Sequence, residues 1–239
     1  MVDNIRMINK INEFDFNSDK CVPTNTTLES QARAQLENKE VQLLGLRHFC
    51  FSCRLCPLGC SLIEEKGKKF DPHVFSNMNH KAEFVVVGQN PGFDECMEGT
   101  PFVGAAGRNF DAEIEKHKIS RRHFYITNVV KCHTVKNSKP DRKYVDVCSK
   151  LLELELMIIK PKLIITLGAS SFDYLCPNIA YSSGLGNINN SIYDIPVFAA
   201  YHPSPLNISE ASRREEFNRQ ISLMCKLIKA VKKEDYFAI

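Results

Sequence analysis

The stretch EFVVVGQNPGFDECMEGTPFVGAAG, residues 83 to 107, begins as a strand and then breaks into a loop. Phe84, Val85, Val86 and Val87 form an unbroken apolar run rich in β-branched side chains, the pattern of a strand buried on both faces. Gly88 ends the run, and glycine and proline then recur as far as Gly107. Glycines of this kind allow the backbone to approach a ligand closely. The loop is neither G-x-G-x-x-G nor a P-loop, so the usual nucleotide-binding readings do not apply.

Three further runs share the strand character: HFYITN (123–128), KLIITLG (162–168) and PVFAAYH (196–202). Helical segments alternate with them: GRNFDAEIEKH, then DRKYVDVCSKLLELELMIIK with Asp141 as N-cap, then ASSFDYL. SEASRREEFNRQISLMCKLIKAVKK follows, with Ser209 as candidate N-cap. Strand and helix in alternation predict an α/β fold, a central four-stranded parallel sheet flanked by helices on both faces. Ahead of it, residues 1 to 25 read as a polar, asparagine-rich arm. A helix is expected from Thr27 to about Phe49, on a broken stripe of Leu28, Ala32, Leu36, Val41 and Leu44. Residues 61 to 82 read as charged and irregular. This gives an N-terminal helical extension, 1–49, and an α/β domain, 50–239. In open sheets of this kind ligands bind beyond the carboxyl ends of the strands. The residues to watch are therefore Gly88 to Gly92, Asn128, Gly168 to Ser170, and His202 to Ser204.

A chain of 239 residues suffices for one such domain with a real core. The net charge of +3 is mildly basic and compatible with a nucleic-acid partner without requiring one. No stretch approaches the roughly 20 apolar residues of a membrane span, and the first twenty residues hold no apolar h-region. We expect a cytoplasmic, monomeric protein that does not enter membranes. Ten cysteines in such a chain point to metal binding more than to disulfides. Four of them, Cys50, Cys53, Cys56 and Cys60, crowd into HFCFSCRLCPLGC (48–60) with the spacing of a local ferredoxin loop. A plain electron carrier would leave the strand-end motifs unexplained, and Cys60 is not followed by proline.

Taken together and in order, GQNPG…EGTPFVGAAG, YITNVVKC and YHPSPL resemble the uracil-DNA glycosylase superfamily, specifically its iron–sulfur branch, family four. The resemblance covers about residues 50 to 230. It implies a monofunctional DNA glycosylase of base-excision repair. Such an enzyme flips a nucleotide from DNA, hydrolyses the N-glycosidic bond of uracil or a modified pyrimidine, and leaves an abasic site. By the same resemblance Phe102 stacks on the base, Asn128 reads its edge and Glu95 stands near its C5. His202 donates to O2 of the departing base. Leu206 wedges into the duplex, while Ser204 and the amides at Gly104 and Gly168 to Ser170 hold phosphates. The metal ligands implied are Cys53, Cys56, Cys132 and Cys148, holding a [4Fe–4S] cluster, with zinc as the alternative. Cys50 and Cys60 are then bystanders.

The chain departs from the family at one telling place. Family four has G-E-x-P-G, and its glutamate is implicated in placing the water; here that position is Gln89, which cannot act as a general base. Asn90 makes the stretch G-x-N-P-G, similar to superfamily branches in which the asparagine positions the water. Asn90 is therefore the expected principal catalytic residue, with Gln89 assisting and Asp94 as the nearest carboxylate. An arginine expected in the loop ahead of the last strand is also missing, where Ser183-Gly184 stands. These departures leave two other readings open: a glycosylase for a hypermodified phage-type base, or a catalytically weakened DNA-binding iron–sulfur protein.

Overall fold

The four apolar runs become strands β3 (Phe84–Gly88), β4 (Phe124–Asn128), β5 (Leu163–Leu167) and β7 (Pro196–Ala200), all parallel. They come from a computed structural model that describes residues 38–237. The arm, Cys21 and the stripe Leu28, Ala32 and Leu36 lie outside the described residues. Within them, the expected four-stranded sheet gains a fifth strand, β6 (Ile188–Asn190), antiparallel to β7, so the order is β4-β3-β5-β7-β6. The sequence Ile-Asn-Asn has no apolar run because it forms a half-solvated edge, and periodicity does not mark it.

Both faces of the sheet are covered. Val85, Val87, Tyr125 and Ile164 point to one side, against α1 (Lys39–Ser52) and α4 (Arg142–Ile159). Phe84, Val86, Ile126 and Ile165 point to the other, against α3 (Ala105–Lys116) and α7 (Ala211–Phe237). A strand packed on both sides has no polar face, which explains the unbroken hydrophobic reading. Helix α1 starts where the Asn38 side chain accepts the Glu40 amide at 2.9 Å. It runs through the expected boundary at residue 49. Its buried stripe is Leu43, Leu46, Phe49 and Cys50, while Leu44 is exposed. Asp141 is the N-cap residue of α4. Ser209 does not cap α7; its hydroxyl donates to Leu206 O at 2.9 Å.

Residues 61 to 82 are ordered, contrary to the irregular reading. They form a hairpin of β1 (Ile63–Glu65) and β2 (Lys68–Phe70), followed by an extended run beside β4. Val74 N donates to Lys131 O at 2.8 Å, His133 N to Pro72 O at 2.9 Å and Asn77 N to Ile126 O at 3.1 Å. The charged composition masked this pairing, because the hairpin's outer residues are solvated. Its effect is to lash the segment after the cysteine loop to the end of β4.

Candidate active site

Parallel register brings Gly88 level with Asn128 at the sheet edge. A Cβ on Gly88 would stand 2.6 Å from Phe102 Cζ and would also strike Asn128 Oδ1. Glycine is required there because the Phe102 ring and the Asn128 amide meet over that position. Phe102 itself has φ +55°, in the left-handed region that non-glycine residues rarely adopt. Several groups hold it. Arg121 donates to Phe102 O at 2.6 Å, and also to Pro101 O, while pairing with Asp111 at 3.1 Å. The Phe102 carbonyl packs so tightly on Gly107 that no Cβ would fit there. The Phe102 and His202 rings lie 6.2 Å apart, tilted by 42°. Asn128 is buried, yet its side-chain amide has no hydrogen-bond partner among the described residues.

Beside these residues opens a cleft of about 480 Å³ lined by Gln89, Asn90, Ser170, His202, Ser204 and Leu206, with Asn137 and Arg213 at its margin. The polar groups form a directional chain. Ser170 Oγ donates to Gln89 Oε1 at 2.5 Å, and Gln89 Nε2 donates to Asn90 Oδ1 at 2.7 Å. Asn90 Nδ2 reaches Thr134 Oγ1 and Asn137 Oδ1, each at 3.2 Å. Thr134 Oγ1 in turn donates to Ser138 O at 2.5 Å. Each donor has an acceptor, so neither amide can flip without leaving two like atoms face to face. One acceptor position stays free on Gln89 Oε1 and one on Asn90 Oδ1.

His202 is kept neutral. Burial pushes its pKa down to about 4. Its Nδ1 accepts the Ser204 amide at 3.3 Å. The proton of the neutral ring therefore sits on Nε2, which makes that nitrogen a donor. Ser204 is thus tied to orienting the imidazole, and its Oγ caps the Asn207 amide at 3.4 Å. Leu206 is 84% exposed at the cleft rim.

Two expected residues stand elsewhere. Asp94 is exposed and does not line the cleft. Glu95 accepts Gly92 N at 3.1 Å and Gly104 N at 2.8 Å, so its carboxylate ties the two halves of the loop together. That bond also occupies the Gly104 amide. Sequence reasoning missed the side chains of Ser170 and Thr134. It also missed His133, which bridges Pro91 O at 2.9 Å and Glu65 Oε2 at 3.0 Å and so ties the hairpin to the loop after β3. Short-range spacing gives no signal for partners 44 or 68 positions apart.

A second cavity lies behind β4. Cys53, Cys56, Cys132 and Cys148 line it together, with Cys50 as a fifth thiol. Cys60 is exposed, outside this set, with its Sγ 3.2 Å from Cys56 O. Cys50, which the resemblance leaves as a bystander, lies at the same cavity. The Lys131 amide donates to Cys148 Sγ at 3.2 Å. Desolvation raises the pKa of Cys53 and of Cys132, and that of Cys148 to about 12. Between the two cavities the Lys131 ammonium pairs with Glu155 and donates to Thr127 Oγ1 at 2.6 Å and to Asn128 O at 2.7 Å, all buried.

One edge of the α/β sheet thus gathers the Phe102 ring, the Asn128 amide and the neutral His202 imidazole. The family model of the uracil DNA glycosylase superfamily matches residues 75–222. The type-4 uracil-DNA glycosylase of Archaeoglobus fulgidus is 31% identical over 186 residues, 73% of this chain and 88% of that protein. The type-4 enzyme of Thermotoga maritima is 30% identical over 166 residues, 68% and 82% of the two chains. That of Sulfurisphaera tokodaii is 37% identical over 133 residues, 52% and 60%. The chain belongs to the uracil-DNA glycosylase superfamily, on the type-4 branch of that family of DNA N-glycosylases.

Proposed function

We propose that this protein is a monofunctional DNA glycosylase that hydrolyses the N-glycosidic bond of uracil flipped out of DNA. The observation that carries the reading is the His202–Ser204 contact, which fixes a neutral imidazole as an Nε2 donor at the strand edge beside Phe102 and Asn128. As the base departs, negative charge grows on its carbonyl oxygens. A preorganised donor there stabilises the transition state without reorganising. Phe102 supplies a stacking face, and the Asn128 amide supplies one donor and one acceptor for the uracil O4 and N3–H edge. Asn90 Oδ1 and Gln89 Oε1 orient the attacking water rather than deprotonate it. Leu206, exposed and apolar, would fill the gap left in the duplex.

The cysteine cavity suits a [4Fe–4S] cluster better than zinc. One zinc ion draws four sulfurs to about 2.3 Å each. A cluster presents four separate irons to thiols spread around a cavity, as these are. It would also supply the positive charge that buried thiolates lack here, with the Lys131 amide on Cys148 Sγ as an outer partner. When bound it would serve as a staple, joining the end of α1 to the loop after β4.

The test is a panel of single-stranded and duplex oligonucleotides carrying uracil, hydroxymethyluracil or hydroxymethylcytosine, each followed by alkali. Scission at uracil is expected. Scission only at another base would overturn the substrate assignment. Binding without base release at enzyme excess would overturn catalysis. Iron and labile sulfide, measured on anaerobically purified protein, check the cluster.

A further inference from the structure

Cys50 has no part in the family ligand pattern, yet it lines the same cavity as Cys53, Cys56, Cys132 and Cys148. It sits in the last turn of α1, and only 1% of its surface is exposed. Its thiol has no hydrogen-bond partner among the described residues. Cys50 belongs to the apolar core cluster with Leu43, Leu46 and Phe49, and it also lines the cavity that four other thiols line. Helix α1 packs along α4, which carries Cys148. Cys50 therefore reaches the cavity from the side where Cys148 enters it. Four of the five thiols suffice for a four-iron cluster, and one is left over within the cavity.

We propose that Cys50 is a reserve cluster ligand, able to take the iron that Cys148 vacates. The inference rests on the cluster reading above. The exchange is a ligand substitution: the iron–sulfur bond to Cys148 breaks, a bond to Cys50 forms, and the proton of the Cys50 thiol passes to the Cys148 sulfur. Neither iron nor sulfur changes oxidation state. In such an arrangement damage to the partly exposed Cys148 would not by itself release the cluster, so the staple beside the base pocket would survive it.

The test compares iron and labile sulfide per chain in wild type, C50A, C148S and C50A/C148S, all purified anaerobically, with far-UV circular dichroism to confirm folding. Wild type, C50A and C148S should all carry the cluster. The double variant should lose it by about tenfold or more, since even outer partners of a metal site are worth 10–100-fold. Loss in C148S to the level of the double variant would overturn the proposal, as would equal retention in both. Iron absent from wild type would instead overturn the cluster reading itself. Should C148S not fold, cluster loss to a chelator is timed in wild type, C50A and C50V. Faster loss in both variants is expected. Loss at the wild-type rate in C50A, or restored by the valine that fills the space without a thiol, would sink the proposal.

Discussion

Gln89 Nε2 donates to Asn90 Oδ1 at 2.7 Å, so the two neighbouring amides at the end of β3 form one unit. Glutamate at position 89 could still accept from Ser170 but could not donate to Asn90 at all. The carboxylate would face the Asn90 carbonyl, and flipping Asn90 would set its oxygen against Thr134 Oγ1, whose own hydrogen is held by Ser138 O. Gln89→Glu should therefore slow single-turnover uracil release, although glutamate stands there in the family pattern. A misplaced buried hydrogen bond of about 1–3 kcal/mol corresponds to roughly 5–150-fold. A rate equal to or above wild type would show that the paired amides do not place the water.

His202 should matter through its neutral form. His202→Ala is expected to lower the single-turnover rate on the order of 10²–10³-fold, the effect of removing one preorganised donor. Its pKa is lowered to about 4 by burial, so the donor tautomer persists far below the ordinary histidine range. The sign for stability follows. Between about 6.5 and 4 the unfolded chain holds a proton that the folded chain does not, so acidification through that window favours unfolding. Base release by the folded enzyme should show no histidine step near pH 6.5. An imidazole that titrates near 6.5 by NMR would contradict the buried, Ser204-bound geometry.

Asn128 stands at the sheet edge beside Phe102, level with Gly88. Asn128→Asp replaces the NH₂ donor with an acceptor, which suits the amino group of cytosine and repels the O4 of uracil. Rates on paired uracil and cytosine substrates should converge, by loss of uracil activity and gain of cytosine activity. An unchanged ratio would remove Asn128 from base reading.

Much of this could be read from the chain, and the reason differs by residue. The four parallel strands announce themselves because burial on both faces leaves no polar positions in Phe84–Val87 or Leu163–Leu167. The placing of Asn90, Asn128 and His202 along one sheet edge was legible through motif order, since each stands at or just after a strand end. Glu95 read as a base contact through the resemblance alone; only the fold reveals that two backbone amides occupy its carboxylate. The hairpin at 63–70 and the edge strand at 188–190 stayed hidden, because solvated strands lose the apolar signal. Cys50 and Cys60 are equivalent in spacing, and helix α1 alone separates them, turning Cys50 inward and ending before Cys60.

The buried Lys131–Glu155 pair makes a stability prediction. Burial alone raises the Glu155 pKa, and Lys131 works against that shift. Lys131→Ala would leave a buried carboxylate without its partner, at a cost of about 3–5 kcal/mol, whereas Lys131→Met with Glu155→Leu should cost less, about 1–3 kcal/mol for the Tyr125 hydroxyl left without its acceptor. Urea midpoints check both. The double variant also frees Asn128 O from its ammonium, so a stable protein with weakened uracil discrimination is expected.

The cysteine assignments separate by iron content. Cys132 enters the cavity from the loop after β4, where the extended run at 72–77 fixes it through the His73–Cys132 bridge. Cys60 is exposed and outside the cavity. Cys132→Ala should lose the cluster and lower the melting temperature, because the link between α1 and the Asn128 strand goes with it. Cys60→Ala should keep both iron and stability. Since Cys50 approaches from the α4 side, it should not rescue Cys132→Ala as it rescues Cys148→Ser. Equal iron in the Cys132 and Cys60 variants would overturn this ligand set, and iron kept without Cys132 but lost without Cys60 would assign the cluster to the local cysteine run instead.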